Sequence, residues 1–130
     1  MRSIAVFVGG AAGALARWAL GVALAAPSAT FPWATLVANI SGAFGLGFVG
    51  VLLTERLPPR PYARPLVVIG IFGSYTTFST MALEGVLLIE RGRVALAILY
   101  WLATLILGQM AGVYGMWLGR IRLPARKERV

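Results

Sequence analysis

The chain contains no cysteine and no histidine. The first absence excludes a disulfide framework and a thiolate metal site. The second removes the usual acid–base catalyst and the commonest metal ligand. Charge is scarce too: 12% of the 130 residues are charged and 59% are hydrophobic, with a mean hydropathy of +0.84. A soluble domain carries roughly 25% charged and about 45–50% apolar residues. One domain of this length has no interior large enough for so much apolar side chain, so the composition implies a bilayer as solvent. The net charge of +8 sits at the ends of apolar stretches, which marks membrane orientation rather than a nucleic-acid footprint. No Walker motif is present, so no fuel site is visible.

Four apolar stretches follow, each near the roughly 20 residues that cross a hydrocarbon core. They cover about residues 3–25, 33–54, 66–89 and 94–118 of a single transmembrane domain, 1–130. The connectors agree: APSATFP (26–32) carries two prolines, ERLPPRPYARP (55–65) carries four, and ERGR (90–93) is a tight charged turn. Residues 120–130 form a basic tail. The first stretch is too long for a cleaved signal and contains Arg17, so it reads as a span. Four spans place both termini on one side. Arg2, Arg56, Arg60, Arg64, Arg120, Arg122, Arg126, Lys127 and Arg129 lie there, against Arg91, Arg93 and arguably Arg17 opposite. The positive-inside rule makes the first side cytoplasmic in a multi-pass protein of the inner (plasma) membrane.

Several residues within the spans do not suit hydrocarbon. Glycines at helical spacings (Gly9 and Gly13, Gly42 and Gly45, Gly108, Gly112 and Gly115) permit close helix approach, for packing or homodimerisation. Asn39 lies mid-span in TLVANISGAFGLGF, with Thr35 one turn earlier on the same face. Its carboxamide either bonds another helix or donates into an ion pathway. Arg17 either snorkels to the interface or works inside the bundle, and Glu84 either is its counter-ion or itself snorkels. Tyr100, Thr104 and Gln109 either extend a polar path or bond to neighbours.

The eight residues GSYTTFST (73–80) interrupt the third stretch. Gly73 and the β-branched Thr76 and Thr77 weaken a helix. A break near Gly73 frees carbonyls, and broken-helix carbonyls readily coordinate a cation where they are buried or face water. Downstream, Ser79 and Thr80 offer hydroxyl donors to an anion, and Phe78 offers an electropositive ring edge. The alternative is a distorted helix whose hydroxyls all bond back to the chain.

Three motifs in order, GGAAGALARW (9–18), TLVANISGAFGLGF (35–48) and GSYTTFST followed by Glu84, resemble the small fluoride channels of the Fluc or CrcB family. The resemblance covers nearly the whole chain. It implies an all-α membrane protein of four transmembrane helices per subunit, the third broken mid-membrane, in a dimeric bundle. It further implies an antiparallel homodimer with two pores for the fluoride ion, and a central, structural, non-transported sodium ion on the backbone carbonyls of Gly73 and Thr76. By position, Asn39 is a pore donor, Phe78 a pore phenylalanine, and Ser79 and Thr80 continue the polar track beside Thr35. Two departures stand out. Met81 occupies the place of a second pore phenylalanine, and the bias of basic residues is larger than a subunit inserting both ways should carry.

The function implied is a passive exporter of cytoplasmic fluoride, with membrane lipid as its surroundings and neither nucleic acid nor catalysis involved. An inside-negative potential drives an anion outward by about 2.3 kcal/mol per 100 mV. Two other classes remain: a proton-coupled small multidrug exporter, for which Glu84 is the sole candidate carboxylate, and a structural membrane subunit whose polar groups only bond one another.

Overall fold

A computed structural model describes residues 1–25 and 31–121. The described residues are helical, without a strand, as hydrocarbon requires of a chain that must satisfy its own backbone. Helix α1 is Arg2–Ala23 and α2 is Trp33–Val51, which continues into a π-helical turn, π1 (Leu52–Arg56). A second π-helical segment, π2 (Arg64–Phe72), leads into the short α3 (Gly73–Tyr75). After an interruption come α4 (Phe78–Glu90) and α5 (Val94–Ile121). Among the described residues four rods are long and apolar enough to cross a membrane: Arg2–Ala23, Trp33–Arg56, Arg64–Glu90 and Val94–Ile121. They match the four predicted stretches to within about three residues at each end.

Punctuation in the sequence explains the ends. Pro32 precedes α2 and Pro65 occupies the first turn of π2, where a missing N–H costs nothing. Gly92 takes φ +74° in the turn between α4 and α5, a left-handed conformation that glycine adopts without strain.

Close backbone contact joins the rods in pairs. A Cβ on Gly9 or Gly13 of α1 would run into the carbonyl of Leu66 or Ile71 in π2, and one on Gly70 would meet the backbone of Gly9. Likewise a Cβ on Gly47 of α2 would strike the carbonyl of Gly112, and one on Gly115 of α5 that of Phe44. Small residues thus let α1 meet π2, and α2 meet α5, backbone to backbone. Helix α4 lies chiefly on α5, around a core of Leu36, Met81, Leu88, Ala97 and Tyr100.

The described basic residues of the predicted cytoplasmic side do gather at one end. Arg2 and Arg64 line one notch. Arg120 forks onto Glu55 (Nη2 to Oε1 2.9 Å, Nε to Oε2 3.2 Å), and Arg56 donates to the Arg120 carbonyl. The exposed pair contributes little stability, though it ties π1 to the end of α5. The remaining tail residues, Arg122, Arg126, Lys127 and Arg129, lie outside the described residues, as does most of the first connector.

Candidate functional site

The third rod opens at two residues. Thr76 (φ −80°, ψ 154°) and Thr77 (φ −149°, ψ 126°) are extended, whereas Gly73 is helical (φ −64°, ψ −27°). The interruption therefore begins three residues after the predicted glycine, because the threonine hydroxyls carry the bonds that helix would otherwise supply. Thr76 gives both its N–H (3.1 Å) and its Oγ1 (2.9 Å) to the carbonyl of Phe72. Thr77 Oγ1 accepts from the Thr80 amide at 3.2 Å and so caps α4.

Asn39 bridges the opening. Its Nδ2 donates to the Thr77 carbonyl at 3.0 Å, and its Oδ1 accepts from the Thr77 amide at 2.8 Å. In an unbroken helix that amide would go to Gly73. The carboxamide thus replaces the partner lost by the Thr77 amide and adds a donor to the Thr77 carbonyl, and one Nδ2 hydrogen remains for another acceptor. Arg17 approaches the same opening from α1 and donates through Nε to the Ser74 carbonyl at 3.1 Å. A guanidinium at the C-terminal end of a helical segment answers the partial negative charge of its carbonyls.

Glu84 does not pair with Arg17, one of the two roles its position in the sequence allowed. Its Oε1 accepts from Thr35 Oγ1 (2.9 Å) and its Oε2 from Tyr100 Oη (2.7 Å). Each carboxyl oxygen thus has one hydroxyl partner, which offsets part of the cost of holding the group away from water. Tyr100 is fully buried and lies edge-on to Phe31, with ring centroids 5.6 Å apart. Several of these groups border one cavity of about 580 Å³, lined by Arg17, Thr35, Thr77, Thr80, Glu84 and Arg91 among others, while Asn39 and Tyr100 stand behind its wall. Thr35 and Asn39 share a face of α2, as their spacing predicted, and both reach the third rod.

Other candidates separate into two groups. Phe78 is 75% exposed on the subunit surface. Ser79 is exposed beside it, within 3.3 Å of Thr77 Oγ1, and Thr80 Oγ1 accepts from Thr77 at 3.0 Å. Ser41 and Tyr75 bond each other at 3.0 Å on an exposed face. Met81, by contrast, is buried in the α4–α5 core. Thr104 is also buried and donates back to the Tyr100 carbonyl, while Gln109 lines a separate cleft between α2 and α5.

The opening suits a hard monovalent cation. Gly73 and Thr76 present neutral carbonyl oxygens, and the amides a continuous helix would give them (those of Thr77 and Thr80) bond Asn39 Oδ1 and Thr77 Oγ1 instead. Among the described residues no cluster of three or more His, Cys, Asp or Glu offers a competing site. Oxygen-only, uncharged ligands fit sodium better than a transition metal.

Sequence reasoning missed the hub. Thr77 makes five of the bonds above, although its β-branching suggested only a weak helix position. A Thr directly before the first apolar residue of a helix, here Thr77 before Phe78, is a capping signal, and that pattern was available. Trp101, whose indole donates to the Met81 carbonyl at 3.2 Å, had no local signal at all.

Residues 4–116 match the family described as CrcB-like protein, Camphor Resistance (CrcB). The chain is 49% identical over 108 residues, 82% of its length and 81% of the relative's, to "Fluoride-specific ion channel FluC 1" of Mycobacterium bovis. It is 40% identical over 119 residues, 92% of its length and 98% of the relative's, to "Fluoride-specific ion channel FluC" of Hydrogenobaculum sp.. A third relative of that name, from Agrobacterium fabrum, is 41% identical over 118 residues, 88% of this chain and 93% of its own. With four membrane-crossing rods and a family match that reaches into all of them, the chain is a multi-pass membrane protein of the CrcB family.

Proposed function

We propose that this chain is the subunit of a passive fluoride-selective channel, which lets cytoplasmic fluoride leave across the inner membrane. The observation that carries the reading is the interrupted third rod, bridged by Asn39 and opening beside a cavity with hydroxyl and guanidinium donors. Its relatives bear the name of fluoride-specific ion channels. Fluoride is small and tightly hydrated, so a pore must replace water with directed donors. Asn39, Ser79 and Thr80 are the donors we assign, with the ring edge of Phe78 beside them; Thr35 neighbours this track with its hydroxyl donated to Glu84, and Met81 continues the run from Phe78 but turns its thioether into the α4–α5 core. Arg17 raises the local anion concentration at its mouth.

The working unit in this reading is a homodimer of antiparallel subunits. In one subunit Gly73, Phe78 and Ser79 are exposed, and polar groups at membrane depth need cover. A sodium ion would be held by the carbonyls of Gly73 and Thr76 and would supply the positive charge that apposed carbonyl dipoles lack. It is structural and does not cross. The chain's own oxygens do the binding, and the donors of Asn39 and Thr80 stay directed at the anion path.

Proteoliposomes loaded with fluoride test the reading. With a potassium ionophore relieving the voltage, efflux of fluoride without efflux of chloride is expected. Equal rates for the two anions would overturn selectivity, and no efflux of either from monodisperse protein would overturn the channel. Replacing sodium on both sides by a large organic cation, with long equilibration, should abolish flux; undiminished flux after demonstrated sodium loss sinks the structural ion. Glu84 in the cavity favours one second reading, the proton-coupled exporter. Uptake of an organic cation driven by a proton gradient would establish that instead.

A further inference from the structure

Helix α4 carries most of the assigned pathway, yet little of its own surface is buried in the subunit. Only Met81, Gly85 and Leu88 are buried along it, a single stripe at helical spacing. Phe78, Leu83 and Val86 are exposed on its other faces. The middle of the stripe is a glycine, so it offers no side chain to the neighbouring helix. The space is taken by Trp101 of α5: a Cβ on Gly85 would overlap the indole at Nε1, Cε2 and Cζ2. The same indole nitrogen donates to the Met81 carbonyl at 3.2 Å. An indole N–H is a donor only and needs an acceptor in an apolar bundle, and a helical carbonyl has a second lone pair to give.

This contact is a ring in a notch with a hydrogen bond at its rim. Sliding α4 by one turn, about 5.4 Å, or rotating it by one residue would break the seat and the bond together. Helix α5 is one uninterrupted rod, and Gly47 and Gly115 hold it directly against α2. The indole therefore references α4 to the α2–α5 pair, and hence Thr80 and Glu84 to Thr35 and Asn39. We propose that Trp101, seated on Gly85, is a positioning residue for the ion pathway that fixes the height and rotation of α4. The proposal rests on the channel reading above and deepens it.

The test uses the full chain and four variants: Trp101→Phe, Trp101→Leu, Gly85→Ala, and Gly85→Ala with Trp101→Leu. Each is checked by gel filtration and then measured for fluoride efflux and for fluoride-over-chloride selectivity. Trp101→Phe keeps a ring and loses the donor, and should slow fluoride efflux by about tenfold with weakened chloride exclusion, the scale of one hydrogen bond. Gly85→Ala should cost more, because the indole is expelled. The double variant should outperform Gly85→Ala alone, a non-additivity diagnostic of residues in contact. If Gly85→Ala does not fold, the two Trp101 variants decide. Wild-type rate and selectivity in both Trp101 variants would overturn the proposal. If the wild type itself passes no fluoride, the channel reading fails separately. Hydrogen exchange of the α4 amides then decides the positioning role: faster exchange in Trp101→Phe supports it, unchanged exchange overturns it.

Discussion

The two halves of the third rod are held by opposite means. From Arg64 to Tyr75 the chain lies against α1 with glycine facing backbone at Gly9, Gly13 and Gly70. From Phe78 to Glu90 it is held by directed bonds: Asn39 to Thr77, Thr35 and Tyr100 to Glu84, and Trp101 to Met81. In lipid, apolar burial separates helices no better than it joins them, so association relies on close van der Waals fit or on polar bonds. The first half uses the former and acts as scaffold. The second uses the latter and keeps polar groups poised beside a cavity. Added volume at the α1 contact should therefore ruin the first half, whereas in the second half the loss of a single hydrogen bond should already be felt.

The largest effect should come from breaking the scaffold. Gly70→Leu forces a side chain into the backbone of Gly9, and no flexible neighbour can yield. We expect a loss of more than ~3 kcal/mol, at the upper end of overpacking costs. The readout is the yield of monodisperse protein in detergent. Normal yield would show that α1 and the first half of the rod are not closely apposed.

Next is the bridge. In Asn39→Asp the Thr77 amide keeps an acceptor, but a carboxylate oxygen now faces the Thr77 carbonyl, where Nδ2 had donated at 3.0 Å. Two acceptors face each other, and the carboxylate also repels an anion. A cost of about 3 kcal/mol to a hydrogen-bonded charged site corresponds to roughly a hundredfold slower fluoride efflux. Efflux at the wild-type rate would remove Asn39 from the pathway and from the bridge alike.

Most of the architecture was legible in the sequence, and the reasons are physical. A bilayer fixes span length, and proline and glycine at Pro32, Pro65 and Gly92 mark the ends. The polar run at 73–80 and Asn39 stood out because hydrocarbon gives neither a free partner. The partners themselves were not legible. That Asn39 meets Thr77 across 38 residues, and Glu84 meets Tyr100 rather than Arg17, depends on helix rotation, which four nearly all-apolar rods leave unmarked. Trp101 and Met81 look like ordinary apolar residues until α4 is laid on α5.

A third test separates the subunit from its assembly. At Gly73 the nearest atom to an added Cβ is the Val68 carbonyl, 3.9 Å away. Gly73→Val should then alter the stability of one subunit by less than ~1 kcal/mol, the scale of helix propensity. Flux should nonetheless be lost, since the added bulk projects from an exposed position where a second subunit would approach. The measurement is thermal stability alongside dimer content and efflux. A variant that remains dimeric and conducts would leave no contact at Gly73 for a partner to make.

The smallest effect is expected at Thr76, where the side chain and the main chain have separate tasks. Its Oγ1 donates to the Phe72 carbonyl at 2.9 Å, and its Cγ2 fills the space over Gly42. Thr76→Ser keeps the hydroxyl and removes one methyl, worth about 0.8 kcal/mol of burial. The carbonyl proposed to face sodium belongs to the backbone and is unchanged. Thr76→Val makes the complementary change: the methyl stays, and the Phe72 carbonyl retains only the Thr76 amide, at 3.1 Å. If the cation rests on main-chain oxygen, both variants should conduct within a few-fold of wild type, with an unchanged sodium requirement. If the hydroxyl itself is a ligand, Thr76→Ser should conduct and Thr76→Val should not. A valine variant that is well folded and silent would therefore move the assigned ligand from the Thr76 carbonyl to its side chain.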